Sequence, residues 1–356
     1  MSGALIAMSG GVDSSVAAYL MKQQGFDCAG SMMKLFANEA IGESRDNVCC
    51  SLEDAEDARA VAYRLDIPFY VFNLSLDFKM QVIDRFVNTY QNGATPNPCI
   101  DCNRYMKFEK LFSRAKILGK EYIVTGHYAR IEYDVLAGRY LLRKAVDRSK
   151  DQSYVLYAMT QEQLAHTLFP LGNLHKSEVR EIAEEQGFVN ASKRDSQDIC
   201  FVRNGDYAGF IEQYTGKVCE CGDFIDMQGN LLGKHKGLIR YTVGQRKGLG
   251  LSLEKPMYVR SKNTADNTVT LCGNDELFSK SLDATDFNWI ACDAPDSPIR
   301  VKAKVRYKHT EQWATARQIS PDTVHIEFDE PQRAVAKGQA VVLYDGDMVV
   351  GGGVIN

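Results

Sequence analysis

An apolar run, Ala4-Leu5-Ile6-Ala7-Met8, leads directly into Ser9-Gly10-Gly11-Val12-Asp13-Ser14-Ser15. After it, Val16, Ala17, Leu20 and Met21 recur at helical spacing up to Gly25. The pattern is a buried strand, a glycine turn and a helix, and it constrains the chain more than any other stretch. Two glycines let backbone approach an anion closely. Ser14 and Ser15 put hydroxyls at a helix N-terminus, where free N–H groups and the helix dipole attract phosphate. Asp13 would repel phosphate, so its presence makes sense if a metal ion sits between the two.

The loop is not a Walker A motif, because no lysine follows Gly11, and it is not G-x-G-x-x-G. It resembles the S-G-G-x-D-S signature of the PP-loop ATP pyrophosphatases, which cleave ATP between the α- and β-phosphates and adenylate an oxygen. A plain glycine turn is the bland alternative. The full pattern between strand and helix outweighs it.

Up to about Asn204 strands and helices alternate. Strands are expected at Phe26–Met33, Pro68–Phe72 and Glu121–Gly126. Helices are expected from a capping box at Ser51 through Leu65, then at Phe78–Tyr90, Tyr105–Leu118, Gln161–Leu168 and Ser177–Gln186. Tyr128–Ala145 reads as a hairpin turning near Gly138. Alternation implies an α/β fold, a Rossmann-like parallel sheet covered on both faces, with ligands beyond the carboxyl ends of its strands. The loops after Met8, Met33 and Gly126 should then line one crevice. Beyond Asn204 a short helix, Asp206–Tyr214, precedes glycine-punctuated β patterns, and from about Leu282 the pattern is all β, read as a small barrel. The expected division is 1–204, a nucleotide-binding catalytic domain; 205–281, a small central β-rich domain; and 282–356, a C-terminal β-barrel.

No run approaches the length of a membrane span, and the N-terminal apolar residues read as a strand rather than a leader, so a cytoplasmic, membrane-free protein is expected. Ten cysteines in 356 residues then point to buried thiols, metal ligands or catalysis rather than a disulfide scaffold. Cys99-Ile100-Asp101-Cys102 fits a redox pair, half a zinc site or two packed thiols. Neither Cys49-Cys50 nor Cys219 with Cys221 completes a zinc ribbon. Cys200, between Ile199 and Phe201, taken alone reads as core. A net charge of -4 argues against indiscriminate nucleic-acid binding. Yet Arg300, Lys302, Lys304, Arg306 and Lys308 fall on alternate positions, opposite Val301, Ala303, Val305 and Tyr307. On a strand they make one basic face. Further clusters lie at Arg130–Lys150 and Lys234–Lys247. A basic stripe on a small barrel points to RNA.

Together these features resemble, along essentially the whole chain, the bacterial tRNA-specific 2-thiouridylases. The likeness rests on Met8–Ser15, Thr95-Pro96-Asn97-Pro98 with Cys102-Asn103, Thr125-Gly126-His127-Tyr128, Lys150-Asp151-Gln152-Ser153-Tyr154, Asp195-Ser196 with Ile199-Cys200-Phe201, Gly244–Gly250 and Gly351-Gly352-Gly353. It implies ATP, with Mg2+, at Ala7, Met8, Ser9, Gly10, Gly11, Val12, Asp13 and Ser14, with Met33 and Gly126 beside the nucleotide. The family adenylates O2 of the wobble uridine in the tRNA anticodon stem-loop. By that likeness a persulfide on Cys200 would displace AMP, and Cys102 stands at the family's nucleophile position, where it would assist sulfur release, a disulfide with Cys200 being one route. The sulfur donor would be a cysteine desulfurase or a sulfur-relay protein. Asn97, Pro98 and Cys99 would contact the target base, and His127, Lys150, Asp151, Gln152, Arg306, Tyr307 and Gln339 the tRNA. The chemistry is sound from below: adenylation makes a poor leaving oxygen a good one, and a thiolate or persulfide is a strong nucleophile near neutral pH.

One residue departs from the family pattern. Many members carry aspartate where this chain has Cys99, which weakens any proton-transfer role there. It also creates the trio Cys99, Cys102 and Cys200, and three thiolates can hold a [4Fe–4S] cluster with one iron open to sulfide. Two other readings compete. A PP-loop synthetase acting on a small molecule would need neither the stripe nor Cys200. A non-catalytic RNA-binding protein would not need the loop.

Overall fold

The computed structural model describes residues 1–36, 52–195, 199–202 and 205–356. The expected cap at Ser51, the Cys49-Cys50 pair and Ser196 lie outside them. The N-terminal strands and first helices are β1 (Gly3–Ala7), α1 (Val12–Gln23), β2 (Asp27–Lys34), α2 (Leu52–Arg64), β3 (Phe69–Asn73) and β4 (Tyr122–Val124). A hairpin follows, β5 (Ala129–Asp134) and β6 (Arg139–Lys144), and then β7 (Thr167–Leu168). The parallel sheet runs β3-β2-β1-β4-β7. Side chains of β1 alternate between its two faces, as the pleat requires. Leu5 joins Phe108, Leu111 and Tyr154 on one side, while Ala4 and Ile6 join Val16, Ala17 and Val61 on the other.

Two helical expectations shift. Helical turns run unbroken over 75–91 (α3) and 98–117 (α4), each with a π-helical stretch, Lys79–Ile83 and Cys102–Lys110. The second helix therefore starts seven residues before Tyr105. Its start is set by Asn97, whose side chain accepts from the Cys99 N–H, and by Pro98 in the first turn. The helix expected at Gln161–Leu168 ends at Ala165, and Thr167–Leu168 pairs with β4 instead. A further helix, α5 (Lys176–Glu185), packs on α1.

The middle of the chain forms a four-stranded sheet from β8 (Gly222–Ile225), β9 (Leu231–His235), β10 (Tyr258–Asn263) and β11 (Thr268–Cys272). The C-terminal barrel comprises β12 (Phe278–Trp289), β13 (Ile299–Lys304), β14 (Gln312–Ser320), β15 (Thr323–Arg333), β16 (Ala340–Asp345) and β17 (Met348–Ile355). It closes because β12 pairs with both β15 and β17. The hairpin strand β6 meets β17 at Arg143 and Met348, so the first domain's hairpin continues the barrel sheet. No helix among the described residues is long and apolar enough to cross a membrane.

Candidate nucleotide and sulfur site

The glycine loop sits at the carboxyl end of β1. Gly10 has φ +77, and a Cβ there would lie 2.4 Å from the Asp54 carbonyl oxygen of α2. Only glycine fits. The hydroxyls brace the turn: Ser14 donates to the Gly11 carbonyl (2.9 Å) and accepts from the Ser9 N–H (3.2 Å), and Ser15 also donates to Gly11 (3.2 Å). Asn190, absent from the sequence motif, donates to the Gly10 carbonyl and to Ser15. Gly126, just beyond β4, closes over the same turn. A Cβ on it would meet the Asp13 carbonyl carbon at 2.8 Å and the Ser14 nitrogen at 2.9 Å. Met33, half-buried, lies one residue before the end of β2. The expected nucleotide residues are therefore gathered at the strand ends where an α/β sheet binds ligands.

Asp13 anchors a polar cluster that sequence reasoning missed. Its carboxylate accepts from Tyr128 Oη (2.8 Å) and Lys176 Nζ (2.6 Å). Lys176 also bonds Asp195 (2.8 Å), whose carboxylate takes Lys150 (2.8 Å) and Arg180 (3.3 Å) as well. Burial works against the charge of Asp195, but hydrogen bonds from Lys150 and Lys176 outweigh it and hold the carboxyl below its usual range. Burial, then the Asp13 charge, pushes the Tyr128 phenol far up, so it remains a donor to Asp13. A carboxylate in this loop suits a hard cation shared with phosphate oxygens.

The cysteines lie on α4 and the 199–202 segment. Cys102, where the π-helical stretch begins, and Cys200 are both half-buried. They pack on one apolar cluster that includes Phe78, Val82, Phe86, Met106 and Phe201. Phe201 anchors its neighbour, with ring centroids 5.7 Å from Phe78 and 5.2 Å from Phe86. Such π-helical turns recur at functional sites. Cys99 is exposed at the surface. The protein crowded around it pushes its thiol up, against the pull of Lys107. Between the two, Asp101 is pushed by burial up to about 6, with Arg85 opposing. Among the described residues no three His, Cys, Asp or Glu side chains are grouped closely enough to hold a metal by themselves. Cys99, Cys102 and Cys200 thus form no ready set of cluster ligands.

The residues expected to touch RNA divide into two kinds. Several spend their polar groups inside the protein. His127 is buried, its ring bonded to Thr125 (2.6 Å) and Lys107 (3.3 Å), and burial holds it neutral. Asp151 caps the turn at Ser153, and Gln152 accepts from the Tyr128 N–H. Gln339 donates to the Thr95 carbonyl beside Asn97. Arg306 donates to the carbonyls of Val243 and Ala334, joining the central domain to the barrel. This corrects the stripe: β13 ends at Lys304, so Arg306 leaves its face and Tyr307 is exposed. Arg300, Lys302 and Lys304 keep the expected face, with Val301 and Ala303 inside the barrel. Arg300 pairs with Asp329, Arg300 and Lys302 flank Trp313, and Lys304 lies over Tyr154 and Tyr307. Cations thus lie against the exposed rings of Trp313 and Tyr307 on one outer face, while Tyr154 is buried beneath Lys304.

Three family models match the chain: a tRNA methyl transferase HUP domain over residues 3–204, a tRNA methyl transferase PRC-barrel domain over 208–273, and an aminomethyltransferase beta-barrel domain over 279–355. Among curated relatives, a tRNA-specific 2-thiouridylase MnmA of Clostridioides difficile (strain 630) is 52% identical over 99% of this chain and 97% of its own length. The protein of the same name from Acetivibrio thermocellus is 50% identical over 99% of this chain and 98% of its own. A third, from Lachnoclostridium phytofermentans, is 49% identical over 100% of this chain and 99% of its own.

Proposed function

The chain belongs to the tRNA-specific 2-thiouridylase family of tRNA sulfurtransferases, and from that premise we propose a two-part site that activates an anticodon uridine with ATP and replaces its O2 with persulfide sulfur. The wobble uridine, splayed from its stack, presents O2 to ATP held at Ala7–Ser14 with Met33 and Gly126. O2 attacks the α-phosphorus and pyrophosphate leaves; Asp13 would hold a Mg2+ ion, which would supply charge that screens the phosphates. The terminal sulfur of a Cys200 persulfide adds to C2. The Cys102 thiolate then attacks the Cys200 sulfur, the persulfide S–S bond breaks, and its electrons stay on the sulfur bound to C2. Collapse to C=S expels AMP. A Cys102–Cys200 disulfide remains, which a thiol reductant reopens before a cysteine desulfurase or relay protein reloads Cys200. Residues 1–204 carry the chemistry, 205–281 bridge, and 282–356 grip the anticodon stem-loop through the β13 face, in the cytoplasm where tRNA and ATP meet.

The observation that carries this reading is the shared seat of Cys102 and Cys200. They are 98 positions apart by their numbers, yet pack on one cluster flanking the sheet that bears the loop. The test measures 2-thiouridine in tRNA made with ATP, cysteine and a cysteine desulfurase. Cys200→Ser should abolish thiolation while adenylation of tRNA, read as pyrophosphate release, persists. Thiolation equal to wild type would overturn the persulfide assignment.

A further inference from the structure

The glycine loop has a charge problem. It brings a triphosphate to a turn with no lysine of its own and with a carboxylate, Asp13, in the first turn of α1. One divalent cation leaves bound ATP strongly anionic. A helix N-terminus supplies only about half a positive charge. A phosphate-binding site of this kind needs a side-chain cation, and a Walker loop carries it within the motif.

Here α5 delivers one from elsewhere in the chain. We propose that Lys176 is the phosphate cation of this site, binding the β- and γ-phosphates of ATP and the pyrophosphate that leaves. The inference rests on the reading of the loop as an ATP site. Lys176 is buried, at 9% exposure, and opens α5. Its backbone N–H is fixed by Asp147 (3.1 Å). Its ammonium lies 2.6 Å from Asp13 and 2.8 Å from Asp195, over the Tyr128 ring at 5.8 Å. An ammonium has three donors on a flexible stem, so it can exchange one carboxylate for phosphate oxygens without leaving its seat.

The cluster is arranged for that exchange. Asp13 is the carboxylate that would hold a divalent cation, and Lys176, bonded to Asp195 as well, would then give up Asp13 and turn to the phosphates. Asp195 keeps Lys150 and Arg180, so it holds its place while Lys176 turns. Tyr128, still protonated, continues to donate to Asp13. A cation already in position at the departing pyrophosphate stabilises charge that grows as the α–β bond breaks. Lys176 would thus act on binding and on the adenylation step.

The test compares MgATP and AMP binding by calorimetry in wild type, Lys176→Met, Lys176→Arg and the double variant Lys176→Met/Asp195→Asn. AMP lacks the phosphates that Lys176 would hold. Lys176→Met should weaken MgATP by about 10- to 100-fold, the range for losing a charge-assisted hydrogen bond, and leave AMP and tRNA binding near wild type. Arginine should restore part of the ATP preference. The double variant removes cation and carboxylate together and so relieves the repulsion between Asp13 and Asp195; it should still have lost the preference for ATP over AMP. A double variant that keeps that preference, or a Lys176→Met protein that loses ATP and AMP equally, would overturn the assignment and leave Lys176 as a brace for the loop. Wild-type protein that binds no ATP would instead refute the nucleotide reading itself.

Discussion

Gly126 and Gly11 stand within one turn of each other in space, and their packing predicts opposite outcomes. A methyl at Gly126 would collide with backbone atoms of Asp13 and Ser14, which cannot give way without opening the loop. At Gly11 the nearest contact of an added Cβ is Ser9 Oγ at 3.5 Å, and φ is −93, comfortable for any residue. Gly126→Ala should therefore cost about 1–3 kcal/mol of stability, the usual range for overpacking, and abolish measurable MgATP binding. Gly11→Ala should keep wild-type stability and bind MgATP to within a few-fold. Thermal melts and nucleotide titrations check the pair, and equal behaviour would show that the close approach of Gly126 does not shape the site. The S-G-G-x-D-S pattern made the loop legible from sequence. Asn190, Lys176 and Asp195, which complete it, were not singled out for the nucleotide, because each is an ordinary polar residue whose role comes only from the folding of α5 and the segment after it against α1.

At the scale of elements, alternation was a trustworthy signal within a strand and failed at its end. Arg300, Lys302 and Lys304 share a face because β13 is regular, but the chain turns after Lys304 and carries Arg306 into the junction with Val243. Nothing in a repeating basic pattern marks where pairing stops. Thr167–Leu168 was lost to a helix for a similar reason: two residues are too few to show a period of two. The start of α4 was legible, since Asn97-Pro98 is a cap followed by a first-turn proline, but the helix was expected only from Tyr105. These placements separate two effects of charge reversal. Lys302→Glu/Lys304→Glu should weaken tRNA binding and lower its salt dependence by a slope of about 2, with melting temperature nearly unchanged. Arg306→Glu should instead lower the melting temperature, because it removes the donor to the Val243 carbonyl of the central domain and the Ala334 carbonyl of the barrel and buries a carboxylate beside them. Filter binding across a salt series, alongside melts, distinguishes them. Unchanged tRNA affinity in the double variant would remove the β13 face from the RNA surface.

The molecule as a whole is held together by a strand with two insides. Val341 and Leu343 of β16 point into the barrel, while Ala340, Val342 and Tyr344 pack with Leu142, Tyr154 and Tyr157 of the first domain. The uninterrupted run Ala340-Val341-Val342-Leu343-Tyr344 is the sequence mark of such a strand, buried on both faces, but from the sequence it was read only as part of a small barrel. Around this seam Arg130 and Arg143 of the hairpin both bond Asp347, at 2.5 and 2.7 Å, and Arg104 of α4 pairs with Asp286. Magnitudes decide which dominates. Each large apolar side chain buried at the seam contributes roughly 1.5–3 kcal/mol, whereas Asp347, about a third exposed, is discounted by solvent screening to about 1 kcal/mol. Asp347→Asn should therefore lower the melting temperature by only a few degrees and leave barrel and first domain melting together. The effect should depend on pH. Burial opposes the Asp347 charge, but Arg143 and Arg130 outweigh it and depress its folded pKa, so the stabilisation is present above the ordinary carboxylate range and is lost as pH falls through the folded value. Calorimetry at pH 7 and again near pH 3 should show the gap between wild type and Asp347→Asn closing at the acid end. A gap of the same size at both would mean that Asp347 acts by packing alone. Two separate transitions in the variant at pH 7 would mean that the ion pairs, rather than the apolar seam of β16, keep the barrel against the first domain.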